Sequence, residues 1–326
     1  MVYAAMDVHR KRSQLAVLED GGTQVMNRRV RNRREDLAPL LEVLDPGTPV
    51  AFEAAYGWRW LVDLLEELDL EPRLAHPLRC KAIASARLKN DKVDAATLAH
   101  LLRADLLAEA WIAPKEVRDQ RALLRMRARL VAIQSAAKNR IHAMLADLGI
   151  EEEPERLWTK AGQRWLEGVE LPDVQRLLVD CSLELIDSVH EPIARLEKEI
   201  RVLTKPDLRV HALQALSGIG PYTAMTLVAE IGDIARFPSP RKLCAWAGLT
   251  PNVRNSADRV RHGHITKQGP RAVRWVLVEA AHTAKRRPPY AGDFAAIAHR
   301  RGKPIATVAI ARKLLARCYW VLKEAS

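Results

Sequence analysis

The N-terminal third of the chain alternates short apolar runs with polar turns, and this pattern predicts a mixture of β-strands and helices. Runs rich in Val, Ala, Leu and Met predict strands, and Gly21-Gly22 between two of them is typical of a β-hairpin. Segments with apolar residues three and four positions apart predict helices. The predicted strands are Val2–Asp7, Ser13–Glu19, Thr23–Arg31, Pro49–Glu53 and Arg73–His76. The predicted helices are Glu35–Leu44, Trp58–Leu68 and Lys92–Leu106.

The order of these elements indicates a fold class. Three consecutive antiparallel strands, followed by helix, strand, helix, strand and helix, is the element order of an RNase H-like sheet. We therefore predict an α/β RNase H-like domain over residues 1–112.

The middle of the chain has the pattern of two long helices. Glu116–Leu148 carries apolar residues seven apart, and the apolar positions from Ile186 to Leu203 alternate in steps of three and four, as in a coiled coil. Pro192 lies within the second series, so that helix either starts there or kinks. The two segments fit a helical hairpin within one chain and a dimerisation arm equally well. We predict a helical, coiled-coil connector over residues 113–205.

Residues 206–326 predict a mainly α-helical domain. Leu213–Leu216 and Tyr222–Ile231 read as helices joined by the tight turn Ser217–Gly220. Glycines in such a turn let backbone N–H groups approach a phosphate closely, as in a helix-hairpin-helix motif, although an ordinary turn between helices has the same pattern. The further predicted helices are Arg271–Lys285 and Ile305–Lys323.

The net charge of +12 is concentrated in the last part of the chain. Residues 251–326 contain 16 Lys and Arg against 4 Asp and Glu, whereas the preceding 250 residues contain 36 of each. Concentrated positive charge is typical of a surface that binds nucleic acid, because neutralising phosphates releases counterions. A surface that serves only solubility is the alternative, but solubility does not require such segregation.

The composition argues against several other classes of protein. The four cysteines are widely separated and form no Cys-x-x-Cys pair, which argues against a zinc site or a disulfide framework and indicates a reducing compartment. No apolar run approaches the ~18 residues that span a bilayer, and the N-terminus leads directly into charged residues rather than into a secretory signal. We expect a cytoplasmic, nucleoid-associated protein with no membrane partner.

Four carboxylates occupy positions that the predicted fold would bring together. Asp7 ends the first strand and Glu53 ends the fourth, and these two strands are neighbours in an RNase H-like sheet. Asp91 and Asp94 begin a helix and share one of its faces. Gathered carboxylates repel one another unless cations bind between them, and oxygen ligands suit Mg²⁺ or Mn²⁺. Two such ions about 4 Å apart can stabilise the attacking and leaving oxygens of a phosphodiester.

The alternative to this metal site is structural. A carboxylate at a strand end is common, and Asp91 by itself could be a helix N-cap. The prediction therefore depends on the joint pattern of the four residues and on the order of the elements that carry them.

Seven short motifs along the chain resemble those of one protein family. They are Met6–Val8, Phe52–Ala54, Lys89–Ala95, Ser217–Gly220, Ala229–Asp233 with Arg236-Phe237, Ala247–Pro251 and Gly263–Gly269. On these residues the chain resembles the DEDD transposases of the insertion sequence 110 family, which are relatives of the Piv invertase and are described as bridge-RNA-guided recombinases. The resemblance covers essentially the whole chain, and the four C-terminal motifs together are specific.

The resemblance implies a RuvC-like N-terminal domain, a coiled-coil connector that assembles protomers, and a C-terminal transposase domain. It also implies a serine that attacks DNA and stays covalently linked to it. The matching serine is Ser256, followed here by Ala257 where the family usually has Gly. The partners that the resemblance implies are donor and target DNA, a guide (bridge) RNA, and further copies of the chain in a dimer or tetramer.

Basic residues surround Ser256 in the sequence. Such residues would bind DNA and stabilise the charge that develops at a phosphodiester under attack. The predicted nucleic-acid-binding residues are Gly218, Gly220, Arg254, Arg259, Arg261, Lys267, Arg271 and Arg274. Lys285–Arg287 and His299–Arg301 are expected to contact backbone phosphates, with an ordinary solvated surface as the alternative.

Two other functions fit parts of the sequence. A junction-cleaving nuclease that uses water would share the four carboxylates but would have no use for Ser256, so a serine–DNA adduct distinguishes the two. A non-catalytic nucleic-acid-binding protein would need neither, and it would bind without magnesium and cleave no strand.

Overall fold

The computed structural model describes residues 1–54, 57–83, 90–151, 156–256 and 259–325. The chain forms two compact units, Met1–Ala113 and Pro114–Ser326. None of the helices in the described residues is both long enough and apolar enough to span a bilayer.

The N-terminal unit is built on a five-stranded sheet. Its strands are β1 (Val2–Val8), β2 (Arg12–Glu19), β3 (Gln24–Arg31), β4 (Pro49–Glu53) and β5 (Glu71–Ala75). They lie in the order β3-β2-β1-β4-β5. Neighbouring strands are antiparallel from β1 to β3 and parallel from β1 through β4 to β5. The predicted number and order of strands in this region are confirmed, because the apolar runs and turn residues are clear in the sequence.

Helices cover both faces of this sheet. They are α1 (Arg34–Leu41), α2 (Trp58–Glu67), α3 (Pro77–Ile83) and α4 (Asp91–Arg103). On one face, α1 and α2 enclose a core that includes the fully buried Met6 and Phe52. On the other face, α4 packs against the sheet through small side chains. They include Ala5 and Ala51 on the sheet and Ala99 on α4. Because these side chains are small, the backbone of α4 can approach the sheet closely.

The C-terminal unit is mainly helical. Its helices are α5 (Lys115–Asp147), α6 (Lys160–Gly168), α7 (Asp173–Thr204), α8 (Leu208–Gln214), α9 (Pro221–Ile231), α10 (Pro240–Trp246), α11 (Arg271–Ala284), α12 (Tyr290–Arg301) and α13 (Lys303–Ala325). A two-stranded hairpin of β6 (Pro251–Ser256) and β7 (Arg259–Ile265) interrupts them. A large core joins α8 to α11 with α13 and receives Leu124 of α5 and Ile200 of α7.

The two long helices pack against each other within the chain. Helix α7 begins at Asp173 and continues through Pro192, so, of the two alternatives for this proline, a helix start is wrong. Ile186 and Val189 of the predicted stripe are buried, and an ion pair of 2.6 Å joins Arg127 of α5 to Glu197 of α7. The apolar stripe is therefore used, at least in part, inside a single chain.

Candidate functional site

The end of the first strand places Asp7 beside the end of the fourth strand. β1 and β4 are parallel, and Met6 is the register partner of Phe52. Asp7 and Glu53 are the next residues on the two strands, so they occupy matching positions at the same edge of the sheet. The prediction that these two strands are neighbours in the sheet is confirmed by their pairing.

The N-terminus of α4 brings a further carboxylate to this edge. The helix is capped by Asn90, whose Oδ1 accepts a hydrogen bond of 3.0 Å from the backbone N–H of Val93. The alternative in which Asp91 is the N-cap is therefore wrong, because Asn90 has the extended backbone and the bond that a cap requires. Asp91 is left at the first helical position, with 42% of its side chain exposed.

His9 lies between the two aspartates and was missed from the sequence. Its Nε2 is 3.1 Å from Oδ2 of Asp7 and 3.3 Å from Oδ1 of Asp91. Donor atoms of these three residues all lie within 4.8 Å of one another, which makes them the one group of that kind found among the described residues. The signal in the sequence was the spacing, since His9 directly follows β1 and lies two residues after Asp7, and side chains two apart in extended chain point the same way.

Electrostatics at Asp7 favour a bound cation. Burial raises the pKa of this carboxyl most strongly, and the charges of Asp91 and Asp94 raise it further, while His9 lowers it. An ionised carboxylate so close to two others is unfavourable unless positive charge is added. Two carboxylates and an imidazole are a donor set that suits a divalent cation such as Mn²⁺, and with more oxygen ligands Mg²⁺. The residues present therefore fit the metal that the sequence predicts.

Different observations place each of the four predicted carboxylates in this region. Asp7 and Asp91 share a donor group with His9, and Asp94 is near enough for its charge to act on Asp7. Glu53 is placed by strand register at the adjacent strand end.

The predicted nucleophile lies on a β-hairpin. Ser256 is the last residue of β6 and the register partner of Arg259, the first residue of β7. This hairpin was not predicted from the sequence, because strands with Asn, Arg and Ser have no apolar alternation by which to recognise them. The side chains of Arg254, Ser256, Arg259 and Arg261, and the whole of Ala257, lie outside the described residues, as does Lys89.

Two of the sequence motifs form the base of this hairpin. Gly248 and Gly269 both have positive φ, and a Cβ on either would lie 2.3 Å or less from a backbone carbonyl oxygen of the other segment. The N–H of Lys267 donates to the carbonyl of Gly248 over 3.1 Å, and that of Thr266 donates to Thr250 over 2.9 Å. Only glycine permits this backbone-to-backbone contact, which explains why the two motifs are needed together.

The basic residues next to the hairpin differ in their surroundings. One guanidinium nitrogen of Arg274 donates to the carbonyls of Ala247, Gly269 and Pro270 at 2.9 to 3.4 Å, and burial lowers the pKa of this side chain. Arg274 therefore holds the base of the hairpin. Lys267 and Arg271 are exposed beside it.

The two glycines of the turn before α9 also differ. Gly218 has a φ of +86°, and a Cβ there would lie 2.3 Å from the carbonyl oxygen of Ala280 in α11. Gly220 is the N-cap of α9, and a Cβ there would meet nothing within 4 Å. Packing explains Gly218, and only Gly220 has open space in front of it. A helix on each side of the turn is confirmed, but the first helix spans Leu208–Gln214 rather than the predicted Leu213–Leu216.

A buried ion pair explains another motif. The Glu230 carboxylate is 5% exposed and accepts two hydrogen bonds of 2.9 Å from the guanidinium of Arg125 on α5. Arg121 donates to the carbonyls of Ala229 and Glu230 at 2.8 and 2.9 Å. The motif around Glu230 therefore fastens α9 to α5.

Two protein-family models match parts of this chain. A DEDD transposase model of the IS110 type matches residues 4–150, which include the carboxylate group. A second model, described as the transposase IS116/IS110/IS902 family, matches residues 210–296, which include the hairpin. The chain therefore belongs to the IS110 family of insertion-sequence transposases.

Named relatives match most of the chain. It is 28% identical to a family 20 transposase of Pseudomonas aeruginosa, over 92% of this chain and 88% of the relative. It is 26% identical to the transposase for insertion sequence element IS1111A of Coxiella burnetii, over 94% of this chain and 86% of the relative. A transposase relative from Sinorhizobium fredii is 30% identical over 74% of this chain, which spans 59% of that protein.

Proposed function

We propose that this transposase cuts and rejoins DNA with two groups of residues, a divalent-metal carboxylate site and a serine nucleophile. The observation that carries the proposal is the group of Asp7, His9 and Asp91 at the end of β1. The strand order β3-β2-β1-β4-β5 supports the assignment of an RNase H-like, RuvC-like sheet that would carry its chemistry at this edge.

The four carboxylates would hold Mg²⁺ or Mn²⁺, with His9 as a further ligand. When bound, the ion supplies positive charge at the phosphodiester and lowers the pKa of an attacking hydroxyl. The protein's own part is to hold Asp7 and Glu53 on rigid strands and Asp91 and Asp94 on the first turn of α4. A capped helix start fixes those two side chains without using either as a cap.

Ser256 would be the nucleophile. Its Oγ forms a bond to phosphorus while the bond from phosphorus to a deoxyribose oxygen breaks, the hydroxyl proton passes to a base, and the released oxygen takes up a proton. One phosphodiester replaces another, so the strand can be rejoined without an external energy source. Lys267 and Arg271 are exposed beside the hairpin and would contact phosphates, as would Gly220 through the N-terminus of α9.

We also propose a domain organisation, nucleic-acid partners and an assembly for the chain. We assign residues 1–112 to a RuvC-like domain, 113–205 to a coiled-coil connector and 206–326 to the transposase domain. Donor and target DNA are the substrates, a bridge RNA is the guide, and protomers assemble as dimers or tetramers. Exposed apolar residues on α7, among them Leu177 and Leu185, are available for such assembly.

The test is trapping of a covalent protein–DNA adduct on labelled element-end DNA with magnesium present. Wild-type protein should give an adduct that survives denaturing electrophoresis, and Ser256→Ala should give none. Ser188→Ala, a change at an exposed serine on α7, should leave the adduct in place. Asp7→Asn should abolish cleavage and retain DNA binding.

Other outcomes separate the alternatives. Strand cleavage by Ser256→Ala without an adduct would favour a water-using nuclease. Binding without any cleavage by wild-type protein would contradict the proposal altogether.

A further inference from the structure

A group of arginines lies beside the carboxylates in the N-terminal unit, although the charges of the first 250 residues cancel. From His9 to Arg34 the chain has eight Lys and Arg and only two acidic residues, Glu19 and Asp20. Those two acids are at the turn after β2, at the far end of the strands from Asp7. The positive charge is therefore concentrated at the end of the sheet where the candidate metal site lies.

Strand register places three of these arginines on the same face as Asp7. Asp7 is the partner of Gln14 on β2, and Gln14 is the partner of Arg29 on β3. Arg12 and Arg31 are two residues away from Gln14 and Arg29, so they share that face. Arg12, Arg29 and Arg31, called here the arginine track, thus run from the carboxylates to the outer strand.

Contacts to α4 support this placement. The Asn27 side chain, on the same face of β3, donates to the carbonyl of Lys92 in the first turn of α4. Nη2 of Arg29 lies 4.0 Å from Oδ2 of Asp91. The track therefore begins in contact with the candidate metal site.

Arg12 and Arg31 face each other, and the described residues provide no counter-ion for either. They are direct register partners on β2 and β3, both are exposed, and neither has an ion pair or hydrogen bond from its side chain to any described residue. Like charges directly opposite each other on neighbouring strands are destabilising. Protection of the sheet edge would explain charge on β3, but β2 is an inner strand, so it does not explain Arg12.

We propose that the arginine track binds the phosphate backbone of the DNA strand that reaches the carboxylate site. A phosphate between Arg12 and Arg31 would replace their repulsion by two favourable contacts, and guanidinium groups match phosphate oxygens in geometry. This inference rests on the proposed function, because it takes the strand at the carboxylates to be DNA.

The test measures how DNA binding by the full-length chain depends on salt. A fluorescein-labelled single-stranded DNA oligonucleotide is titrated in EDTA at several KCl concentrations, and the slope of log association constant against log salt is compared. Each phosphate contact on a single strand contributes about 0.7 to this slope. The double variant Arg12→Gln/Arg31→Gln should therefore make the slope shallower by about 1.4.

Arg28→Gln is the matched control. Arg28 is an exposed arginine on β3, but its register partner is the buried Leu15, so it lies on the opposite face. Its loss removes the same charge as the single variant Arg31→Gln, which should make the slope shallower by about 0.7, whereas Arg28→Gln should leave the slope unchanged. An equal effect of Arg28→Gln, or no effect of the double variant, would overturn the track.

Two further measurements keep the test decisive. The melting temperature of Arg31→Gln without nucleic acid should rise, since repulsion is removed, whereas a fall would assign these side chains to the fold and overturn the proposal. In the double variant, binding of the same oligonucleotide made as RNA should lose no more affinity than binding of the DNA, and a loss confined to RNA would likewise overturn the proposal.

Cleavage and adduct formation test the proposed function separately. Absence of both in wild-type protein, with the slope change intact, refutes that function and not phosphate binding.

Discussion

Replacing Asp7 with Asn should stabilise the metal-free protein while removing its response to metal. Donor oxygens of Asp7 and Asp91 are within 4.8 Å. At that distance two unit charges repel by about 0.9 kcal/mol in water and by roughly 3.5 kcal/mol at an effective dielectric of 20. Asp7→Asn removes this repulsion and the unfavourable burial of charge, but it also removes attraction to His9. We expect a net gain of about 1–2 kcal/mol, or about 4–8 °C in the melting temperature for a unit of this size.

Metal should reverse the order of the two proteins. At a free ion concentration one hundred times the dissociation constant, binding stabilises the wild type by about 2.7 kcal/mol, whereas Asp7→Asn lacks a central ligand. Calorimetry in EDTA and in Mn²⁺ or Mg²⁺ measures both differences. Glu66→Gln, which removes an exposed carboxylate on α2, is the control for net charge. The reasoning fails if Asp7→Asn melts lower than wild type in EDTA, or if metal stabilises both proteins equally.

Three other outcomes are expected. Glu230→Ala should lower the free energy of unfolding by about 3 kcal/mol, because it removes the two hydrogen bonds that this carboxylate accepts from the guanidinium of Arg125; urea denaturation measures this, with exposed Glu279→Ala as a control near zero. Gly269→Ala should cost about 2–4 kcal/mol through its positive φ and the carbonyl it would meet, and an unchanged melting temperature would contradict the described contact. Because the pKa of Asp7 is raised above its ordinary 3.8 in the folded protein, wild type should lose stability relative to Asp7→Asn as pH rises through that raised pKa, which melting curves across acidic pH would detect.

The N-terminal sheet could be predicted from the sequence because its signals are local. Apolar runs, turn glycines and carboxylates at strand ends all lie in consecutive residues. The identity of the α4 cap could not be decided in this way, since Asn90 and Asp91 are both good capping residues and backbone geometry selects between them.

His9 and the arginine track were missed for a different reason. His9 acquires its role from α4, which is more than eighty residues further along the chain. The arginines were hidden because net charge over the first 250 residues is zero, and the sum does not reveal where in space the charges lie. Sheet register is needed to bring Arg12 and Arg31 opposite each other.

In the C-terminal unit, Gly218 and Gly220 were predicted to share one role, either in a phosphate-binding turn or in an ordinary turn between helices. Gly218 and Gly220 have the same spacing signal, yet one is packed on the backbone of α11 and the other faces open space. A glycine that permits packing and a glycine that exposes N–H groups cannot be distinguished before the neighbouring helix is known.

The glycine contact at the base of the hairpin determines which kinds of mutation would displace Ser256. Because that contact is made by backbone atoms, it fixes where β6 starts. The position of Ser256 at the other end of β6 then depends on how many residues separate it from Pro251. Side chains alternate faces along a strand, so inserting one residue in β6 would turn Ser256 to the opposite face. Substitutions at Asn252 and Val253 should therefore be tolerated far better than single-residue insertions or deletions between Pro251 and Ser256.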